Sequence, residues 1–138
     1  MAKEKNYNNY VEIVGNVSTI YQEPANNAKG EMRFKIANHR TYTKKDGTKA
    51  EETDFLNVLV RPGRKWAKQE RVVKGNFLRI KGHLENNAYQ DKEGNWKGGI
   101  EINADSIVEL KRREDGKVEN TETGEVVTID ENVEIAES

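Results

Sequence analysis

Apolar and polar side chains alternate with a period of two in three separated parts of this chain, and that periodicity restricts those parts to half-buried β-strands. Met32, Phe34 and Ile36 alternate with Arg33 and Lys35; Leu78, Ile80 and Leu84 alternate with Arg79, Lys81 and His83. Ile100 and Ile102 keep the same step within residues 99–108. An amphipathic helix would repeat its apolar residues every three to four positions, so these stretches cannot bury one face as helices. Residues 10–17 (Tyr-Val-Glu-Ile-Val-Gly-Asn-Val) read as a strand bent at Gly15, and residues 53–60 as another that Pro62-Gly63 terminates.

The connections complete the order. Lys44-Lys45-Asp46-Gly47 is a hairpin signal between the second and third strands, and residues 91–95 (Asp-Lys-Glu-Gly-Asn) are another between the fourth and fifth. From Arg64 to Lys74 the spacing predicts one short helix, with Trp66 and Ala67 plugging a barrel end and Gly75 as its stop. Hydrophobic and charged residues each make up 34% of the chain. A small core serving one apolar stripe per strand fits that composition. The expected fold is all-β: a five-stranded OB-fold barrel with a helix between strands 3 and 4.

Charge divides the chain. Residues 1–113 hold 22 Lys+Arg against 15 Asp+Glu, a net of +7, whereas residues 114–138 hold one Lys against nine Asp+Glu, a net of −8. The expected organisation is a basic barrel domain over 1–110 and an acidic, flexible tail over 111–138, mostly disordered from 114 onward. Within it, Val126-Val127-Thr128-Ile129 has the composition of a short extra strand. The opposed charges suggest a tail that folds back and competes for the basic surface. Cysteine is absent, which excludes thiolate nucleophiles, disulfides and Cys-based zinc sites and fits a reducing, cytoplasmic setting. No apolar run is long enough to cross a bilayer, so no membrane partner is expected.

Flat aromatic surfaces interleaved with cations suit an unpaired nucleic-acid strand, because every base has a face to stack and every nucleotide a phosphate. Tyr42 and Tyr89 have polar flanks and lie out of phase with their strands' apolar faces, which favours stacking. For Phe55 core filling and stacking both remain open. Trp96 shares parity with Ile100 and Ile102 yet adjoins Lys97, so it stands as a fourth stacking candidate. The candidate phosphate contacts are Arg33, Lys35, Lys44, Lys45, Lys49, Arg61, Arg79, Lys81, Lys92 and Lys97, with Arg64 beside them. No catalytic residue, metal site or cofactor is expected: His39 and His83 lack ligand spacing, and neither a Ser-His-Asp set nor a phosphate-binding glycine loop occurs.

With its strands placed, the chain resembles the bacterial and phage single-stranded DNA-binding proteins. The matching stretches are residues 9–17, 52–60 and 73–84, the last with a Lys-Gly, Ile, Gly, Leu spacing after the expected helix; the resemblance covers about residues 9–110. It implies a non-enzymatic, largely sequence-independent protein that binds and protects single-stranded DNA in replication, recombination or repair. It also implies stacking by Tyr42, Phe55 and Tyr89, and a homo-oligomer, commonly a homotetramer. Arg61 stands where the family often has a further aromatic. The acidic C-terminus lacks the terminal Phe through which relatives recruit replication or recombination proteins, and its short form suits a phage or mobile element. The rival reading is an OB-fold adaptor in a primosome-like or regulatory assembly, holding an acidic peptide; such a groove would not require several planar surfaces.

Overall fold

The structure, a computed structural model, describes residues 7–129 and 135–136. Five long strands form the body: β1 (Val11–Gln22), β2 (Met32–Thr43), β3 (Lys49–Val60), β4 (Phe77–Asn86) and, after two short strands β5 (Tyr89–Gln90) and β6 (Trp96–Lys97), β7 (Ile100–Arg112). β1 pairs with β2 and β4, β2 with β3, and β7 with β4. A parallel contact of Val58 and Leu59 with Ile102 and Asn103 joins β3 to β7. The sheet therefore closes on itself as a five-stranded OB-fold barrel, and the strand order expected from the sequence is the one observed.

Alternation decides which side chains fill it. Phe34, Ile36, Val58, Val60, Leu78, Ile80 and Ile107 are fully buried, and Ala104 and Ile102 complete the interior. Two glycines permit the walls to approach: a Cβ at Gly15 would lie 2.1 Å from the Ala37 carbonyl oxygen, and one at Gly82 2.1 Å from that of Asn103. Only a residue without a side chain fits there. Register shifts at Val17/Thr19 and Lys81/Gly82 add local bends.

Two expectations need correction. Residues 64–74 form no α-helix; a single 3-10 turn, Gln69–Arg71, is all that is helical. The backbone there binds outward instead of to itself. The Ile107 amide donates to the Trp66 carbonyl at 2.8 Å, and Gln69 Nε2 donates to the Gly30 and Val60 carbonyls. Ala67 and Val72 are the buried anchors, five positions apart and so poorly placed for one helical face. Trp66, expected as the plug, is 65% exposed.

The acidic segment also carries structure. β8 (Val118–Asn120) pairs with Leu110–Arg112 at the end of β7, β9 (Val126–Val127) pairs with β8, and Val118 is buried. A short β10 (Ile135–Ala136) runs parallel to β2 at Tyr42 and Thr43. The expected flexibility of residues 130–134 and 137–138 falls outside the described residues. Among the described residues no helix is long and apolar enough to cross a membrane.

Candidate nucleic-acid interface

The β2–β3 ladder runs without a register shift from Met32↔Val60 to Thr43↔Lys49, so parity assigns every side chain a face. Even positions of β2 up to Ile36 point into the barrel. Arg33 and Lys35 therefore point outward, opposite Leu59 and Asn57, and the same parity carries Ala37 and Phe55, although Leu59 and Ala37 are covered. Next to Arg33 and Asn57 opens a cleft of about 510 Å³, closed on one side by Tyr21 and on the other by Asn87, Tyr89, Ile100 and Glu101. Tyr89 (60% exposed) belongs to its lining, and Phe55 (56% exposed), two residues from Asn57 on the same strand face, lies beyond it.

The hairpin that carries Tyr89 owes its shape to Asp91, whose Oδ1 accepts from the Glu93 and Asn95 amides, while Gly94 takes the left-handed conformation. β5 and β6 hold Tyr89 opposite Lys97 and Gln90 opposite Trp96. Trp96 is 69% exposed, which removes the core-filling option at that position. Phe55 is likewise outside the core.

Not every candidate converges here. Tyr42, expected out of phase with the apolar face of its strand, instead has the parity of Phe34 and Ile36, opposite to Phe55; it pairs with Ala50, and its hydroxyl donates to Glu52 at 3.0 Å. It occupies the other face of the hairpin arm, next to β10. Arg79 and Lys81 lie on the β1–β4 wall with Glu12 at 3.2 and 3.6 Å, and neither lines the cleft. Lys44 and Lys45 are at the tip of the β2–β3 arm, Lys49 at its return, and Lys92 and Lys97 in the β5–β6 hairpin.

The arginines on the barrel wall are held by carboxylates. Arg33 Nε donates to Glu101 Oε2 at 2.7 Å and its Nη1 to Gln22, and the hydrogen bond to Glu101 pushes its pKa further up. Glu31 bridges Arg33 (3.4 Å) and Arg61 (3.5 Å), and Arg61 forms a two-pronged contact with Glu85 at 3.1 and 3.2 Å. Hydrogen-bonded to that guanidinium, the Glu85 carboxyl is held down to about 2. His83 stands between Asp105 (2.9 Å) and Glu85 (3.1 Å), and its pKa is raised, first by the bond to Asp105. Arg64 completes the row on Asp105. The expected cations Arg33, Arg61 and Arg64 thus arrive already neutralised and fixed in position.

Tyr21 was not anticipated. The strand signal reads clearly only to Val17, whereas β1 continues to Gln22 and brings Tyr21 to the cleft, half exposed, its hydroxyl pKa raised by burial and by Glu101. The β-prone run Thr19-Ile20-Tyr21 was the available signal. Among the described residues no group of His, Cys, Asp or Glu has the arrangement of a metal site.

Known proteins place this architecture. A Staphylococcus aureus single-stranded DNA-binding protein 2 is 31% identical over 61% of this chain and 59% of its own length, so the chain matches less than two thirds of that relative. The mitochondrial single-stranded DNA-binding protein of Drosophila melanogaster is 28% identical over 78% of this chain and 74% of its own. Single-stranded DNA-binding protein 1 of Xylella fastidiosa is 31% identical over 70% and 73%. Among solved structures, the Plasmodium falciparum SSB in complex with ssDNA superposes with a TM-score of 0.59 at 14% identity, over 79% of this chain and all of that one. A deletion mutant of the Thermus aquaticus single-stranded DNA binding protein gives 0.54 at 16%, over 80% and 64%. At such identities these two speak for the fold alone. The pattern of the single-strand binding protein family, however, matches residues 8–111, the whole barrel, and the chain belongs to that family.

Proposed function

We propose that this protein binds single-stranded DNA without catalysing a reaction on it and with little regard to base sequence, protecting the strand in replication, recombination or repair. The observation that carries this reading is that Tyr21 and Tyr89, both solvent-facing, line one cleft on the outer β2–β3–β7 wall, with exposed Phe55 two residues along β3 from its Asn57. Exposed rings contribute nothing to the core, and base stacking is the use to which such a set is suited. Bases lie against the rings, and phosphates turn toward Lys35 and the lysines of the two hairpins, Lys44, Lys45, Lys49, Lys92 and Lys97. Trp96 adds a ring at the hairpin's edge, and Tyr42 a separate surface on the far side of the arm.

An acidic peptide is a poorer fit, because it would use the exposed cations but has no need of several planar rings beside them. The adaptor reading loses ground for that reason. The family resemblance supports assembly into a homo-oligomer and a cytoplasmic setting, and the acidic segment offers a surface for replication or recombination proteins. Titrating the protein with poly-dT while following tyrosine and tryptophan emission tests the reading: saturable, salt-sensitive quenching is expected. Absent quenching, or cleavage of a labelled strand in magnesium, contradicts it.

A further inference from the structure

The connection between β3 and β4 carries Arg61, Arg64, Lys65, Lys68, Arg71 and Lys74 against one carboxylate, Glu70. Its three arginines are engaged: Arg61 by Glu85 and Glu31, Arg64 by Asp105, and Arg71 by Glu122 and the Ile107 carbonyl. Lys65, Lys68 and Lys74 are exposed and make no ion pair among the described residues. Trp66 projects among them, and Lys65 Nζ lies 4.8 Å from the centre of its ring. The apolar work of this segment is done by Ala67 and Val72, so the indole is not needed for packing.

The segment is also held in place. Arg64 binds Asp105, and the Trp66 carbonyl accepts from Ile107, so the connection follows the flank of β7. Glu101, in the same strand, lines the cleft. From Glu101 to Ile107 the strand advances roughly 20 Å at ~3.3 Å per residue. A strand leaving the cleft along β7 therefore meets a fixed, outward aromatic with free cations on either side.

We propose that Trp66, with Lys65 and Lys68, is a second contact for single-stranded DNA: a base stacks on the ring face away from Lys65, and the flanking phosphates lie on the lysines. This rests on the reading of the cleft as the primary site and extends it. Charge favours a polyanion over a protein surface here, since protein interface cores are depleted in lysine. Stacking beside a cation suits a nucleobase.

The two tryptophans of the sequence allow a selective readout. Trp96→Phe leaves Trp66 as the sole indole, and its emission is followed against dT oligomers of about 5 and about 30 residues, lengths short and long against the roughly 4–16 nucleotides of one OB-fold site. The long oligomer is expected to quench Trp66 and the short one to leave it nearly unchanged. In the otherwise unaltered chain, Trp66→Ala should weaken the long oligomer by about 5- to 150-fold, the range of one stacked base, and leave the short one unaffected. Phe55→Ala serves as the control for the cleft and should weaken both lengths. If Phe55→Ala weakens both while Trp66→Ala and the indole signal do nothing, the second contact is wrong and the cleft stands. If neither substitution matters, the cleft reading falls with it. If Trp66→Ala changes the native mass but not DNA affinity, the patch is a protein contact and the proposal is overturned.

Discussion

The arginines of the barrel wall and the lysines of the hairpins hold their charges in opposite ways, and Arg40, in the β2–β3 arm but paired with Glu52 and Asp54, sides with the wall. On the wall, Arg33, Arg61, Arg64 and Arg79 are each held by a carboxylate from another segment of the chain. In the hairpins, Lys44, Lys45, Lys92 and Lys97 are exposed and make no ion pair among the described residues. A planar guanidinium matches a carboxylate fork and tolerates partial burial, whereas an ammonium on a flexible stem stays hydrated. The difference suits the proposed division of tasks, in which arginines brace the barrel wall, rings stack on bases, and lysines at the periphery meet phosphates. Formal net charge alone does not distinguish these roles, because a paired arginine and a free lysine count equally.

That division can be broken experimentally, and the largest effect should come from the lysines. Replacing Lys44, Lys45, Lys92 and Lys97 together by alanine should make the salt dependence of DNA affinity shallower by about 2–3 in log–log slope, at ~0.7 per lost phosphate contact on a single strand. Salt titration by fluorescence reads it, and an unaltered slope would deny the lysines their role. Arg33→Gln should act on the fold instead. It leaves Glu101 without its charged partner on a half-buried wall and should cost about 1–3 kcal/mol in urea unfolding, with the salt slope preserved. A slope change as large as that of a hairpin lysine would place Arg33 among the phosphate contacts.

The His83 bridge offers a finer probe. Its folded pKa lies above the ordinary 6.5, so its stabilisation is fully present below pH 6.5 and is lost as the pH rises through the raised value. His83→Gln should remove that part of the decline in melting temperature on the alkaline side and change the acid limb only through its lost bond to Glu85. The acid limb belongs partly to Glu85, whose depressed pKa of about 2 confers stability that is present above 4.5 and lost as the pH falls toward 2. Smallest of all, removing residues 130–138 should tighten DNA binding at low ionic strength and do nothing at high, if the acidic end competes for the cations. Identical affinities at low salt would dismiss that competition.

The barrel was legible because each long strand buries one face and so must alternate; Phe34, Ile36, Leu78 and Ile80 announce it in the sequence. Tyr89 was legible for a related reason, as an exposed ring with polar flanks, whereas Phe55 stayed open between core and surface until the register set it on the outer face. The connection at 64–74 was misread because a cluster of Trp66, Ala67, Val72 and Val73 looks helical locally, while the partners that fix it, Ile107, Gly30 and Val60, are distant in sequence. Tyr42 was read as out of step with its strand's apolar side, yet the unbroken register gives it the parity of Phe34 and Ile36 and the face opposite to Phe55. The pairing of the arginines was also invisible, since Glu31, Glu85 and Glu101 come from three separate segments that only the closed barrel brings together.

The direct test of the division between stacking and charge is a salt-resolved titration of a dT oligomer with Phe55→Ala. A parallel line is expected, its slope that of the unaltered protein and its affinity lower by about 1–3 kcal/mol at every ionic strength. Unchanged affinity, or a loss that appears only at low salt, would contradict the assignment of the cleft to bases.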